Sequence, residues 1–201
     1  MRASATVLTI ATLASLALLG GCSDKNGNDP TPTGAPSPTG SSSAGAPAVK
    51  DPITNTAAVE ADPCSAIPAA ELEAITGKIK RSRTEDMTAG KGCTWVLELS
   101  PNTINAGLVT GNKEGLGTLY AQHAAGSLTT FKPVDPIDGY PAVVYANGGE
   151  GKGNCTLAVG VRDDLVYNVI PRLSNEHPSF ADPCGMATKV AAAAIKNLKG
   201  A

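Results

Sequence analysis

The chain has 201 residues, 16 of them Lys or Arg and 18 Asp or Glu, for a formal net charge of −2. A balance so close to neutral argues against a partner recruited by a strong field of one sign. Aromatic residues make up 3%, too few to build the stacking platform that single-stranded nucleic acid needs.

Arg2 is the single positive charge ahead of an uncharged, apolar run from Ala3 to Leu19. That layout is a secretory signal peptide. The run comes near the ~18 apolar residues of a membrane span, but its end favours the other reading. Leu19-Gly20-Gly21-Cys22 resembles the lipobox of bacterial lipoproteins: a branched apolar residue, two small residues that let the chain enter a peptidase site, and a thiol that takes diacylglycerol. The resemblance implies that residues 1–21 are a lipoprotein signal peptide. Cys22 then carries the lipid anchor, including palmitate-type chains, at the outer, extracytoplasmic face of a bacterial cytoplasmic membrane. Several acyl chains on one residue hold firmly, because each buried CH₂ contributes about 0.8 kcal/mol.

Residues 23–61 are built from Ser, Thr, Gly, Pro and Ala, with no aromatic and no apolar period. Such a segment cannot bury enough surface to offset its ordering entropy. The expectation for residues 22–61 is a lipidated cysteine followed by a disordered tether. A single domain is expected over 62–201, a size that supports one core.

With Cys22 assigned to lipid, Cys64, Cys93, Cys155 and Cys184 remain. An even number in an exported chain implies two disulfides. The absence of a Cys-x-x-Cys or a zinc-finger spacing argues against a metal site. Pairing 64 with 93 and 155 with 184 is favoured, because each bridge would tie a helix N-terminus to a nearby strand. The nested pairing of 64 with 184 and 93 with 155 stays open.

Asp-Pro-Cys occurs at Asp62 and again at Asp182. Asp accepts from free helical N–H groups and Pro suits a first turn, so each copy predicts a helix start. After the first copy a short helix is predicted over 68–76, stopped by Gly77. Lys78 to Arg83 alternates like a strand, and a solvated, basic edge strand is the favoured reading of it. Strands are predicted over 93–99, 105–110 and 141–145, with a hairpin over 155–161 and 165–170 turning at Arg162-Asp163-Asp164. A helix is predicted over 113–125. After the second Asp-Pro-Cys, Met186, Ala187, Val190, Ala191, Ala194, Ile195 and Leu198 recur at helical spacing. The order points to an α+β fold, an antiparallel sheet with helices on one face.

DPCSAIPAAELEAITG, GCTW, GYPAVVY, a Cys-Thr-Leu-Ala-Val strand and DPCGMATKVAAAAIKNL together resemble a family of actinobacterial lipoproteins, the domain of unknown function 3558. Lipoproteins of the mycobacterial LprB and LprC type look like members. The resemblance spans 62–198 and implies export, lipidation, fold and disulfides. It supplies no active site to carry over.

Candidate chemistry is sparse. His123 and His177 lack a serine in a Gly-x-Ser-x-Gly setting. The loop from Asn147 to Asn154 fails the P-loop pattern, since Gly153 follows Lys152 and no helix start follows. No catalytic residue, metal ligand or cofactor is expected. Trp95 and Tyr140 are the aromatics that could meet a ligand or partner, although packing of Trp95 against a disulfide is the blander account. The favoured role is a non-catalytic module that binds a small apolar ligand or an envelope protein. The alternatives are an accessory or sensory subunit of a secretion or cell-wall complex, or an envelope enzyme with an unconventional site around His123 or Glu150.

Overall fold

The computed structural model describes residues 45–200. The signal-peptide expectation, Cys22 and most of the expected tether lie outside the described residues. The elements are α1 (Ala57–Ala61), a 3₁₀ turn (Pro63–Ala66), α2 (Ala69–Thr76), β1 (Ile79–Met87), β2 (Gly90–Leu97), β3 (Thr103–Leu108), α3 (Gly117–Ala124), β4 (Thr130–Ile137), β5 (Tyr140–Ala146), β6 (Leu157–Arg162), β7 (Leu165–Arg172) and α4 (Pro183–Gly200). The strands form one sheet in the order β1-β2-β3-β7-β6-β5-β4. Every neighbouring pair is antiparallel. The first three strands form a meander, and the connection through α3 carries the chain to the far edge. Strands β4 to β7 then return and close against β3.

Side chains alternate between the faces of a strand, and here the two faces meet different helices. On one face Leu97, Ile104, Leu157, Val159, Tyr167 and Val169 share a core with Met186, Val190, Ala194, Ile195 and Leu198 of α4. All seven residues of the helical spacing read from the sequence are buried. Burying each Leu, Ile, Met or Val contributes about 1.5–3 kcal/mol, so α4 holds this face closed. Leu72 and Val59 bring α2 and α1 to the same side. Helix α3 is the exception to the one-face arrangement. Leu116 and Leu119 lie against Val143, Ala158 and Val166 on the opposite face, because the crossover from β3 to β4 runs over that side.

Both disulfides join the favoured partners, Cys64 with Cys93 and Cys155 with Cys184. Asp182 accepts from the Gly185 N–H at 2.9 Å and so caps α4. The first Asp-Pro-Cys differs in what it starts. Asp62 accepts from the Cys64 N–H, but it opens the 3₁₀ turn, and α2 begins at Ala69 behind Pro68. A second correction concerns the domain boundary. Folded structure begins before Asp62: Ala46, Ile53, Thr56 and Val59 are all buried, and the Ile53 N–H donates to the Val161 carbonyl. Apolar residues spaced so widely among Pro, Thr and Ala carry no periodic signal, so composition alone hides them. Strand β4 went unread for a related reason. Pro133 and Pro136 argue against a strand interior, and the structure places them on an edge strand, where a missing N–H is tolerated.

Candidate functional site

The face that carries α3 is only partly covered. Helix α3 packs over β5, β6 and β7, with Phe131 of β4 at its margin. Beyond it, the outward side of β1, β2, β3 and β7 forms a cleft of about 240 Å³, lined by Met87, Gly90, Gly107, Val109, Asn168 and Ile170 among others.

Glycines make the floor. A Cβ on Gly107 would stand 2.7 Å from the Lys91 carbonyl oxygen and 2.8 Å from the Gly92 Cα. Strands β2 and β3 therefore approach closely at a point where neither bears a side chain. A Cβ on Gly92 would collide with the Met87 methyl, so the Met87 thioether lies across the space left by the glycine. Met87 is 42% exposed. A flexible, unbranched side chain over a glycine floor is a cover that can move at small cost.

Polar groups sit at the borders. Asn168 donates from Nδ2 to the Tyr145 hydroxyl at 2.9 Å, and its Oδ1 is buried with no hydrogen-bond partner among the described residues. Burial pushes the Tyr145 phenol above its ordinary value, with the Asn168 bond as a smaller opposing effect. On the β1 side, Thr94 Oγ1 lies against Glu85 Oε2 and, at 2.6 Å, against Asn105 Oδ1. The Thr94 hydroxyl, then the Arg83 guanidinium, hold the Glu85 carboxyl below the usual value.

Ile170 also lines a second cavity of about 410 Å³, with Gly148, Glu150, Thr156 and Arg172. The two hollows thus share a wall. The glycine-containing loop that failed the P-loop pattern forms one side of the larger one. Its Glu150 carboxyl is held low, chiefly by its own backbone N–H and then by the Thr129 hydroxyl.

The residues singled out from sequence fall elsewhere. Trp95 is 3% exposed and belongs to the α4 core, so its ring has no surface to offer a ligand or partner. Tyr140 is also 3% exposed. Its hydroxyl donates to the Asp51 carbonyl at 2.8 Å, and Lys199 sits 5.7 Å from the ring centre. Both rings are committed to the fold. His123 is exposed and stacks on Phe131 at 4.2 Å. His177 is buried at the edge of a third cavity of about 300 Å³ between α2 and β2. Its Nδ1 accepts from the Ser179 N–H and its Nε2 lies 3.2 Å from the Thr76 carbonyl. The carbonyl can only accept, so Nε2 carries the proton and Nδ1 the engaged lone pair. Both ring nitrogens are used in holding the chain. Among the described residues no group of three or more His, Cys, Asp and Glu side chains could hold a metal ion.

Sequence reasoning missed the cleft itself. Its trace was present in Gly107, inside the run 105–110 that reads as strand, and in Gly90-Lys91-Gly92, just ahead of the run 93–99. Such glycines mark close backbone approach. Met87 gave no signal before the β1–β2 turn was known.

These features define a class: a disulfide-bridged α+β domain with one seven-stranded antiparallel sheet, one face sealed by α4 and the other partly open. The chain belongs to the family described as "Protein of unknown function (DUF3558)", whose model matches residues 17–197. No curated protein matches the chain, and no solved structure matches it.

Proposed function

We propose that this chain is an exported lipoprotein, anchored through Cys22 at the outer face of the cytoplasmic membrane, whose domain binds a small apolar ligand without catalysis. The observation that carries the ligand reading is the glycine-floored cleft under Met87. It combines apolar walls, a side chain that can swing, and one unpaired acceptor, Asn168 Oδ1, that would orient a ligand bearing a single hydroxyl or N–H group. Ligand sites are mostly apolar with a few such placed polar groups. The export reading rests on the lipobox-like end of the apolar leader, and the two disulfides accord with an oxidising compartment.

The test uses the mature chain with Cys22→Ser and the neutral fluorophore N-phenyl-1-naphthylamine. Saturable one-to-one binding is expected. Ile170→Glu should weaken it by at least roughly tenfold, because the carboxylate would have to be buried beside an apolar ligand. Met87→Ala should leave binding equal or stronger. Binding that is absent, or unmoved by Ile170→Glu, would remove the proposal.

A further inference from the structure

The two edges of the sheet are built differently. Strand β4 carries Pro133 and Pro136, which remove ladder donors and blunt that edge. Strand β1 has nine residues and no proline, and all but Ile79 and Glu85 are exposed. Among the described residues, no strand lies beside its outer row of backbone N–H and C=O groups. Charge is what marks this edge, and the charge is ordered. Lys80 and Arg81 fill the first half, Glu85 and Asp86 the second, and Arg83 stands at the centre.

An antiparallel partner reads that order in reverse. We infer that a second copy of this chain pairs with the first, edge to edge through β1, across a two-fold axis at Arg83. In this register Arg81 faces the partner's Glu85, and Lys80 comes to the partner's Asp86. Ser82 faces the partner's Thr84. Opposite charges placed directly across an antiparallel pair are stabilising, and like charges are not. The register shift in β1 falls between Ile79 and Arg81, so the segment from Arg81 to Glu85 that carries the pairing is regular. The one like-charged meeting is Arg83 with Arg83 on the axis, and each of those guanidiniums already has Glu85 of its own strand at 2.6 Å. The same charges that repel an arbitrary strand thereby select a second β1, as strand addition at an open edge requires.

The axis stands normal to the sheet, so each face maps onto itself. Ala46, near the first described residue, packs on the α3 face. Both chains therefore enter the paired sheet from one side, which suits two anchors in one membrane.

The experiment is disulfide trapping with the mature Cys22→Ser chain in a glutathione buffer. Arg83→Cys places two thiols opposite each other on the axis, on the sheet face away from Cys64. Lys91→Cys, exposed on β2, is the comparison. A covalent dimer forming about tenfold faster for Arg83→Cys is expected. Adding Arg81→Glu should slow it roughly tenfold, and adding Arg81→Glu with Glu85→Arg should restore it, since the pair is only reversed. Circular dichroism establishes that each variant is folded. Equal trapping of Arg83→Cys and Lys91→Cys, or failure of the folded double reversal to restore the rate, overturns the inference.

Discussion

Tyr167 is the largest of the fully buried side chains, and its hydroxyl has no hydrogen-bond partner among the described residues. Burial pushes its phenol far above the ordinary value. A buried, unpaired polar group costs about 1–3 kcal/mol. Tyr167→Phe is therefore expected to stabilise the domain by about 1 kcal/mol in urea unfolding, and a loss of stability would contradict this. Carboxylates at or near the surface act in the opposite sense. Glu73 is held below 4.5 chiefly by the Ile79 N–H, Glu85 by the Thr94 hydroxyl, and Glu150 by its own backbone N–H. A carboxyl depressed on folding contributes stability that is complete above its unfolded value and is lost as pH falls through the lower folded value. The thermal midpoint should hold steady from about pH 7 to about pH 5 and fall below about pH 4.5. A midpoint that rises on acidification would show these bonds to be absent in solution.

At the scale of elements, each disulfide spans 29 residues, joining a helical start to β2 in one case and to the loop just ahead of β6 in the other. Loop-closure entropy then gives about 3.5 kcal/mol per bridge. Replacing Cys64 and Cys93 together with Ser should lower the thermal midpoint by roughly 7–14 °C; a change within a degree or two would mean the bridge adds nothing to the packing. These pairs were legible because cysteine parity and the repeated Asp-Pro-Cys are local signals. Helix α4 was legible because its apolar residues follow one period over 18 residues. Strand β4 and the segment from Ala46 to Thr56 were not, since neither carries a period. Pro133 and Pro136 are tolerable only on an edge, and edge position is a property of the assembled sheet. The cleft failed to show for the same reason. Gly92 and Gly107 lie on different strands, and their closeness exists only once β2 and β3 are paired. Trp95 is taken by the core, as the packing account of it holds, and not by a ligand surface.

At the scale of the whole molecule, the cleft bears on the proposed anchoring. Folded structure reaches back to Ala46, so under the proposed anchoring at Cys22 the spacer would comprise at most residues 23–45. Fully extended, that stretch spans at most about 80 Å. Ala46 packs on the same face of the sheet as the cleft, so under the proposed anchoring the open face would lie on the side from which the chain arrives. Where a ligand sits is thus the question on which the functional account turns. Amide chemical shifts of the ¹⁵N-labelled Cys22→Ser chain, followed during titration with N-phenyl-1-naphthylamine, answer it residue by residue. The account predicts the largest changes at Gly90, Gly92, Gly107, Asn168 and Ile170. Changes confined to the cavity around Ile75, Leu97 and His177, or no changes at saturation, would contradict it.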